Sequence, residues 1–181
     1  MPTFRSKKIF FISECLVNQN IRAYGVGNMK GQGPVAELLD LLIKNGIGLS
    51  VVSCPEIIYE GLKRNACGKE RYNNSEYRKI CSKKAQELID RYKLYLDDDY
   101  KILGFICVNG SPSCAIDYCY CDKAGKTKCS EPGVFIEEAQ KKLKEENLNL
   151  EFIGVRMKEL SNVLEKINFI IIRNKGKIYD L

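Results

Sequence analysis

With 181 residues, 45% of them hydrophobic and 29% charged, the chain has room for one domain with a sizeable core and is too apolar for intrinsic disorder. No run approaches the roughly 20 apolar residues of a membrane-spanning helix. The opening MPTFRSKKIFFIS passes from basic residues straight into a β-type run, without the apolar stretch or cleavage site of a secretory signal.

A first strand is predicted over Lys8–Ser13 (KIFFIS), followed by an irregular stretch from Asn18 to Gly33. Pro34 to Lys44 reads as a helix, with Val35, Leu38, Leu39 and Leu42 on one face, Pro34 in the first turn and Gly46 past the end. A strand over Leu49–Ser53 leads into irregular chain from Pro55 to Asn74. A long helix from Ser75, as its cap, to about Leu96 carries Tyr77, Ile80, Cys81, Leu88, Tyr92 and Leu96 on its apolar face. Then come a strand over Lys101–Val108, irregular chain from Gly110 to Ser130 and a helix from Pro132 to about Asn147. Strands over Leu150–Val155 and Ile167–Ile172 flank a short helix from Met157 to Lys166. Alternating strand and helix implies an α/β fold of three Rossmann-like layers, a mostly parallel sheet flanked by helices, with residues 1–181 as one domain.

The 29 basic and 23 acidic side chains leave +6, but the lysines lie among glutamates, as in KKLKEEN (Lys141 to Asn147), the pattern of a solvated helix face. No basic stripe with interleaved aromatics gives a strong nucleic-acid signal. The absence of histidine excludes every triad built on imidazole and leaves acid–base work to carboxylates, lysine, tyrosine, thiols or a metal. Nine cysteines, an odd number, read as thiols, metal ligands or redox groups in a reducing, cytoplasmic compartment.

Each of the first three strands runs into a cysteine: Ser13-Glu14-Cys15, Ser53-Cys54-Pro55-Glu56 and Asn109-Gly110-Ser111-Pro112-Ser113-Cys114. An open α/β sheet binds ligands outside the carboxyl ends of its strands, so parallel neighbours would gather these thiols on one rim. Three thiolates suit a soft metal centre with one position left open, against the alternative of small buried hydrophobes. Cys81 and Cys107 read as core, and Cys67 is unassigned.

The segments CLVNQNIRAYG (Cys15 to Gly25), CPEIIYEGLKR (Cys54 to Arg64) and GSPSC (Gly110 to Cys114) resemble the thiouracil desulfurase family and its shorter desulfidase relatives, over about Lys8 to Val155. The resemblance implies a [4Fe-4S] cluster on Cys15, Cys54 and Cys114. It also implies removal of sulfur from a small thiocarbonyl compound, a thionucleobase such as 2-thiouracil, with sulfide released. By the same resemblance Glu56 and Ser111 are the catalytic polar groups. Glu56 has the alternative of an ion pair with Arg64, and Ser111 that of turn chemistry. Asn18, Gln19, Arg22 and Ser113 are the substrate-binding candidates, amides being able both to donate and to accept; local backbone capping competes for Asn18 and Asn20. Tyr24 and Tyr59 are candidate pocket walls. The expected partner is a small thiolated substrate, with no membrane and with a homodimer left open.

The family follows SPSC with glycine where this chain has Ala115, which would strain a turn needing positive φ. Cys114, Cys119, Cys121 and Cys129 read C-x4-C-x-C-x7-C, which offers a zinc or thiol-redox module as an alternative to the cluster. Gly25, Gly27, Gly31 and Gly33 precede a helix but match no phosphate-binding fingerprint, so nucleotide binding is the weakest alternative.

Overall fold

The computed structural model describes residues 5–26, 33 and 35–174; Gly27, Gly31 and Pro34 lie outside the described residues. Four parallel strands, β1 (Lys8–Ser13), β2 (Gly48–Val52), β3 (Lys101–Val108) and β6 (Phe152–Val155), form a sheet in the order β2-β1-β3-β6. The connecting helices are α1 (Glu14–Val17), α2 (Ala36–Lys44), α3 (Pro55–Glu60), α4 (Lys69–Tyr72), α5 (Ser75–Asp97), α6 (Val134–Glu145) and α7 (Leu160–Arg173), and a small antiparallel hairpin pairs β4 (Cys119–Tyr120) with β5 (Lys128–Cys129). Among the described residues no helix is long and apolar enough to cross a membrane.

In β1, Ile9, Phe10, Phe11 and Ile12 are all buried, as expected of a parallel strand covered on both faces. Successive residues alternate between the faces. Ile9 and Phe11 point into a core closed by α5 and α6, where Phe11 meets Phe105, Tyr92 and Tyr95. Phe10 and Ile12 point into the opposite core, closed by Leu38 and Leu42 of α2 and by Ile167 and Ile171 of α7. The result is the three-layer arrangement that the alternation of elements implies.

The apolar run from Ile167 to Ile172 is helical, which corrects the expectation of a fifth large strand. A six-residue β-branched run has no decisive period of its own. Its neighbours settle it: Leu160, Val163 and Leu164 extend the helical spacing, so that Ile167, Ile170 and Ile171 share the buried face while Phe169 and Ile172 stay exposed. Of the expected Met157–Lys166 helix, Leu160 to Lys166 begin this same element, and Met157–Glu159 before it form a 3₁₀ turn. The cap of α5 is Asn74, whose side chain accepts the Tyr77 N–H at 3.0 Å, rather than Ser75. Leu96, expected on the apolar face of α5, is exposed, and Ala85 and Ile89 are buried there instead.

The pairing of β1 with β3 slips by one residue between Ile9 and Phe11, and Gly104 sits at that irregularity with φ +148°. A Cβ there would lie 2.8 Å from the Glu151 carbonyl oxygen. Gly104→Ala is therefore expected to cost about 2–3 kcal/mol. The thermal midpoint followed by circular dichroism should fall by roughly 4–12 °C.

Candidate functional site

β1 lies between β2 and β3, so the chain leaves the sheet at three adjacent points of one rim. β2 and β3 flank β1 on opposite sides, which makes the β1/β3 boundary the place where the strand order reverses and where such sheets open a crevice. Cys15 sits in the single turn α1 directly after β1, Cys54 at the start of α3 after β2, and Cys114 in the turn that follows β3.

Hydrogen bonds tie the three segments together. The Glu14 carboxylate accepts the Cys54 backbone N–H at 2.9 Å, joining the ends of β1 and β2. Pro55 fits the first turn of α3, where its missing N–H costs nothing. After β3, Ser111 Oγ accepts the backbone N–H groups of Ser113 and Cys114 at 3.1 and 3.0 Å, and Asn109 Oδ1 accepts those of Ile116 and Asp117. The carbonyls of Pro112, Ser113 and Ala115 take N–H groups of residues 133 to 136 at the start of α6. A Cβ at Gly133 would lie 2.3 Å from the Ser113 carbonyl carbon, so glycine is required for this close seat. Ala115 is buried without positive φ, and the strain considered for a residue in place of glycine does not arise.

Glu56 is buried beside this rim and holds an ion pair with Arg64, Oε2 to Nε 3.0 Å. Its Oε1 accepts from Ser113 Oγ at 2.8 Å and from Ser111 Oγ at 3.4 Å. Ser113 Oγ lies 2.5 Å from Tyr77 Oη; because the serine proton goes to the carboxylate, the tyrosine hydroxyl is the donor. Ser111 thus has the turn role weighed for it, and it also donates to Glu56. Arg64 also donates to the Gly61 carbonyl and, through Nη2, toward Cys54 Sγ at 3.8 Å. Sequence reasoning missed Glu14 and Tyr77: neither has a motif, and Tyr77 looked like one more apolar-face residue of α5.

Burial pushes all three rim thiols up from the usual cysteine range, and they raise one another: Cys15 and Cys54 act on Cys114, and Cys15 acts on Cys54. Cys15 is opposed by the nearby Arg22 guanidinium, whose Nε donates to the Cys15 carbonyl at 3.4 Å. The same burial effect acts on the core thiols Cys81 and Cys107; the effect of Cys54 on Cys114 and of Cys15 on both is what ties the rim three together. Among the described residues, the three thiols whose sulfurs all lie within 4.8 Å of one another are Cys119, Cys121 and Cys129. Cys15, Cys54 and Cys114 do not form such a group among the described residues.

The other candidates occupy distinct places. Asn18 caps the one-turn 3₁₀ helix Gln19–Ile21, accepting the Asn20 N–H at 3.2 Å. Gln19 follows it there, its backbone N–H bonded to the Gly33 carbonyl. Ser113 is fully buried behind Glu56. Tyr59 packs its ring on Tyr72 and Tyr77, whereas Tyr24 is exposed and contributes backbone pairing to Asn65. Cys81 and Cys107 are core, and Cys67 faces the Tyr72 hydroxyl. A cleft of about 370 Å³ lined by Tyr59, Glu60, Glu70, Arg71 and Lys123 includes none of the rim cysteines.

No family model matches the chain. It is 33% identical over 112 residues to the uncharacterized protein MJ0003 of Methanocaldococcus jannaschii, spanning 62% of this chain and 70% of that one. A solved structure described as the [4Fe-4S]-dependent thiouracil desulfidase TudS is similar with a TM-score of 0.48 and 15% identity, covering 90% of this chain and 99% of the other.

Removing one member of a buried ion pair strands the other charge, at about 3–5 kcal/mol. Arg64→Met should therefore lower unfolding stability by that amount in urea titration. The double variant Arg64→Met with Glu56→Gln should recover most of the loss, since no uncompensated charge remains.

Proposed function

We propose, for a chain that belongs to the family of the Methanocaldococcus jannaschii protein MJ0003, a [4Fe-4S]-dependent desulfidase that removes sulfur from a small thiocarbonyl compound. A thionucleobase such as 2-thiouracil is the expected substrate. The reaction is hydrolytic: water adds to the thiocarbonyl carbon, the carbon–sulfur bond breaks, and the oxo compound and hydrogen sulfide leave, with no net electron transfer. The observation that carries this reading is the junction, at one sheet rim, of a buried Cys114 and half-buried Cys15 and Cys54 with a buried carboxylate held by two serines and an arginine.

Cys15, Cys54 and Cys114 would hold the cluster, three protein ligands for four irons. When bound, it would supply a Lewis-acidic iron that grips a soft sulfur and draws electron density from the adjacent carbon. Everything else falls to side chains of the chain. A carboxylate offers about four acceptor sites, and Ser113, Ser111 and Arg64 fill three of those on Glu56. The remaining one can take a proton from the attacking water and return it to the departing sulfur. Arg64, bonded through Nε to Oε2, fixes the plane of that carboxylate. Tyr77, by donating to Ser113, turns the serine proton toward Glu56 and away from the substrate. Ser111, with the longest of the three bonds to Glu56, is the member best placed to exchange its partner for a substrate atom. Arg22, beside Cys15, adds a cation that favours an electron-rich heterocycle at the same rim.

Anaerobic reconstitution with iron and sulfide should give a brown protein with about four irons per chain, which releases sulfide from 2-thiouracil. Cys54→Ala should lose both colour and activity. Glu56→Gln should keep the colour while turnover drops roughly 10²–10⁴-fold. Reconstituted wild-type protein that binds no cluster, or a Cys54→Ala variant with unchanged iron content, would overturn the ligand assignment. Full activity in Glu56→Gln would remove Glu56 from the chemistry.

A further inference from the structure

The second group of thiols lies outside the site just described, on the hairpin of β4 and β5. Cys119 lies in β4, and Cys121 follows directly after it, its N–H bonded to the Thr127 carbonyl at 2.7 Å. Cys129 pairs directly with Cys119 across the ladder and so shares its side. Their sulfurs lie within 4.8 Å of one another. The Cys119 and Cys129 sulfurs are 3.7 Å apart. That is the edge of a tetrahedral zinc–thiolate site, about 3.8 Å for Zn–S bonds of about 2.3 Å. Cys121 and Cys129 meet as a disulfide pair with Cα atoms 6.0 Å apart, and Cys119 is buried against them.

The surrounding chain is prepared for this cluster without help from sulfur. Asp122 shapes the turn by accepting the backbone N–H groups of Lys126 and Thr127. The Cys121 carbonyl takes the Glu70 N–H at 2.9 Å, and a Cβ at Gly68 would lie 2.0 Å from the Asp122 carbonyl oxygen, so the hairpin is seated directly on the 68–70 backbone. Yet the ladder holds two residues per strand, far too few to persist by itself. A disulfide would use two of the three sulfurs and leave the buried third idle, whereas a metal ion engages all three.

We propose that in the reduced protein Cys119, Cys121 and Cys129 bind one zinc ion as thiolates, with water in the fourth position, separately from the rim cysteines. Three thiols and Zn²⁺ give a Zn(SR)₃ centre of net charge −1 and release three protons. The charged groups facing Cys119 are the buried Lys69 and the two carboxylates it pairs with, Glu131 and Glu137. Where Cys121 and Cys129 are oxidised, a dithiol reductant must first deliver two electrons and two protons to their bond, becoming a disulfide itself. Cys114, counted with this group on spacing, lies in the turn after β3, where Cys54 and Cys15 act on its thiol, and it is not in the hairpin group. Because Gly110 bridges to Cys119, the ion would also brace the loop that follows β3.

The test is independent of desulfidase activity. The chain is expressed with zinc, purified under a dithiol reductant, and its zinc content measured. About one zinc per chain is expected, with Cys15→Ser/Cys54→Ser retaining it and Cys121→Ser losing it. Anaerobic Co²⁺ added to the metal-free Cys15→Ser/Cys54→Ser protein should give tetrahedral visible bands with thiolate-to-cobalt charge transfer. In wild-type protein, which avoids any folding defect of a variant, zinc should slow alkylation of Cys119, Cys121 and Cys129 by about tenfold or more while Cys67 is unaffected. The proposal is overturned if zinc leaves alkylation of the three unchanged, if the Cys121–Cys129 disulfide persists in the dithiol-treated protein saturated with zinc, or if zinc is lost from Cys15→Ser/Cys54→Ser and kept by Cys121→Ser.

Discussion

The position of β1 between two parallel neighbours is the constraint from which the rest follows. Parallel pairing sends all three chains out of the sheet at the same rim, and the short crossings that follow have to bond one another. Glu14 takes the Cys54 N–H, Ser111 takes two N–H groups of its own turn, and the first amides of α6 are met by carbonyls of residues 112 to 115. The rim is therefore a stiff, internally bonded platform. Its nitrogen and oxygen groups are largely committed to neighbours, so what it presents for chemistry is sulfur and a single carboxylate.

The ion pair of Glu56 and Arg64 is hard to explain as a stabilising device. A buried pair replaced by well-packed apolar residues is commonly neutral or stabilising by about 1–4 kcal/mol. Retaining it therefore costs stability, and the geometry indicates what is gained. Arg64 reaches both the carboxylate and Cys54 Sγ, while Tyr77, Ser113 and Ser111 orient the opposite oxygen. One charge is thus held at a fixed point two residues from a rim thiol, in a setting where repositioning it would mean breaking several bonds at once.

How much of this was legible in the sequence depended on whether the deciding force was local. Lys8–Ser13 and Lys101–Val108 could be read with their true limits because strands buried on both faces have near-continuous apolar runs. The position of the three cysteines after their strands followed from the same reading. The run Ile167–Ile172 misled because its helicity is decided by residues before it and by packing on β6 and α2, not by its own composition. The partners of Glu56 were half visible: Arg64 lies eight residues along, within reach of a local guess, whereas Ser113 and Tyr77 come from chain 57 and 21 positions away and meet it only through the fold. The hairpin thiols posed the reverse problem. Their spacing suggested four ligands, but Cys114 is drawn to the rim by the turn after β3, and the hairpin groups the other three.

The two sulfur groups differ in ways that argue for different occupants. The rim thiols come from three separate segments, have backbone groups fixed by hydrogen bonds of their neighbours, and raise one another. The hairpin thiols come from one short, locally shaped segment, stand at tetrahedral-edge distance, and are partly exposed at Cys121 and Cys129. A single ion matches them, and so does oxidation to a disulfide. Stiffness reinforces the contrast. The rim segments are bonded to one another without any metal, whereas the hairpin, with a ladder of two residues per strand, has little strand pairing of its own to order it. On this physical basis the rim is suited to chemistry and the hairpin to bracing the loop beside it.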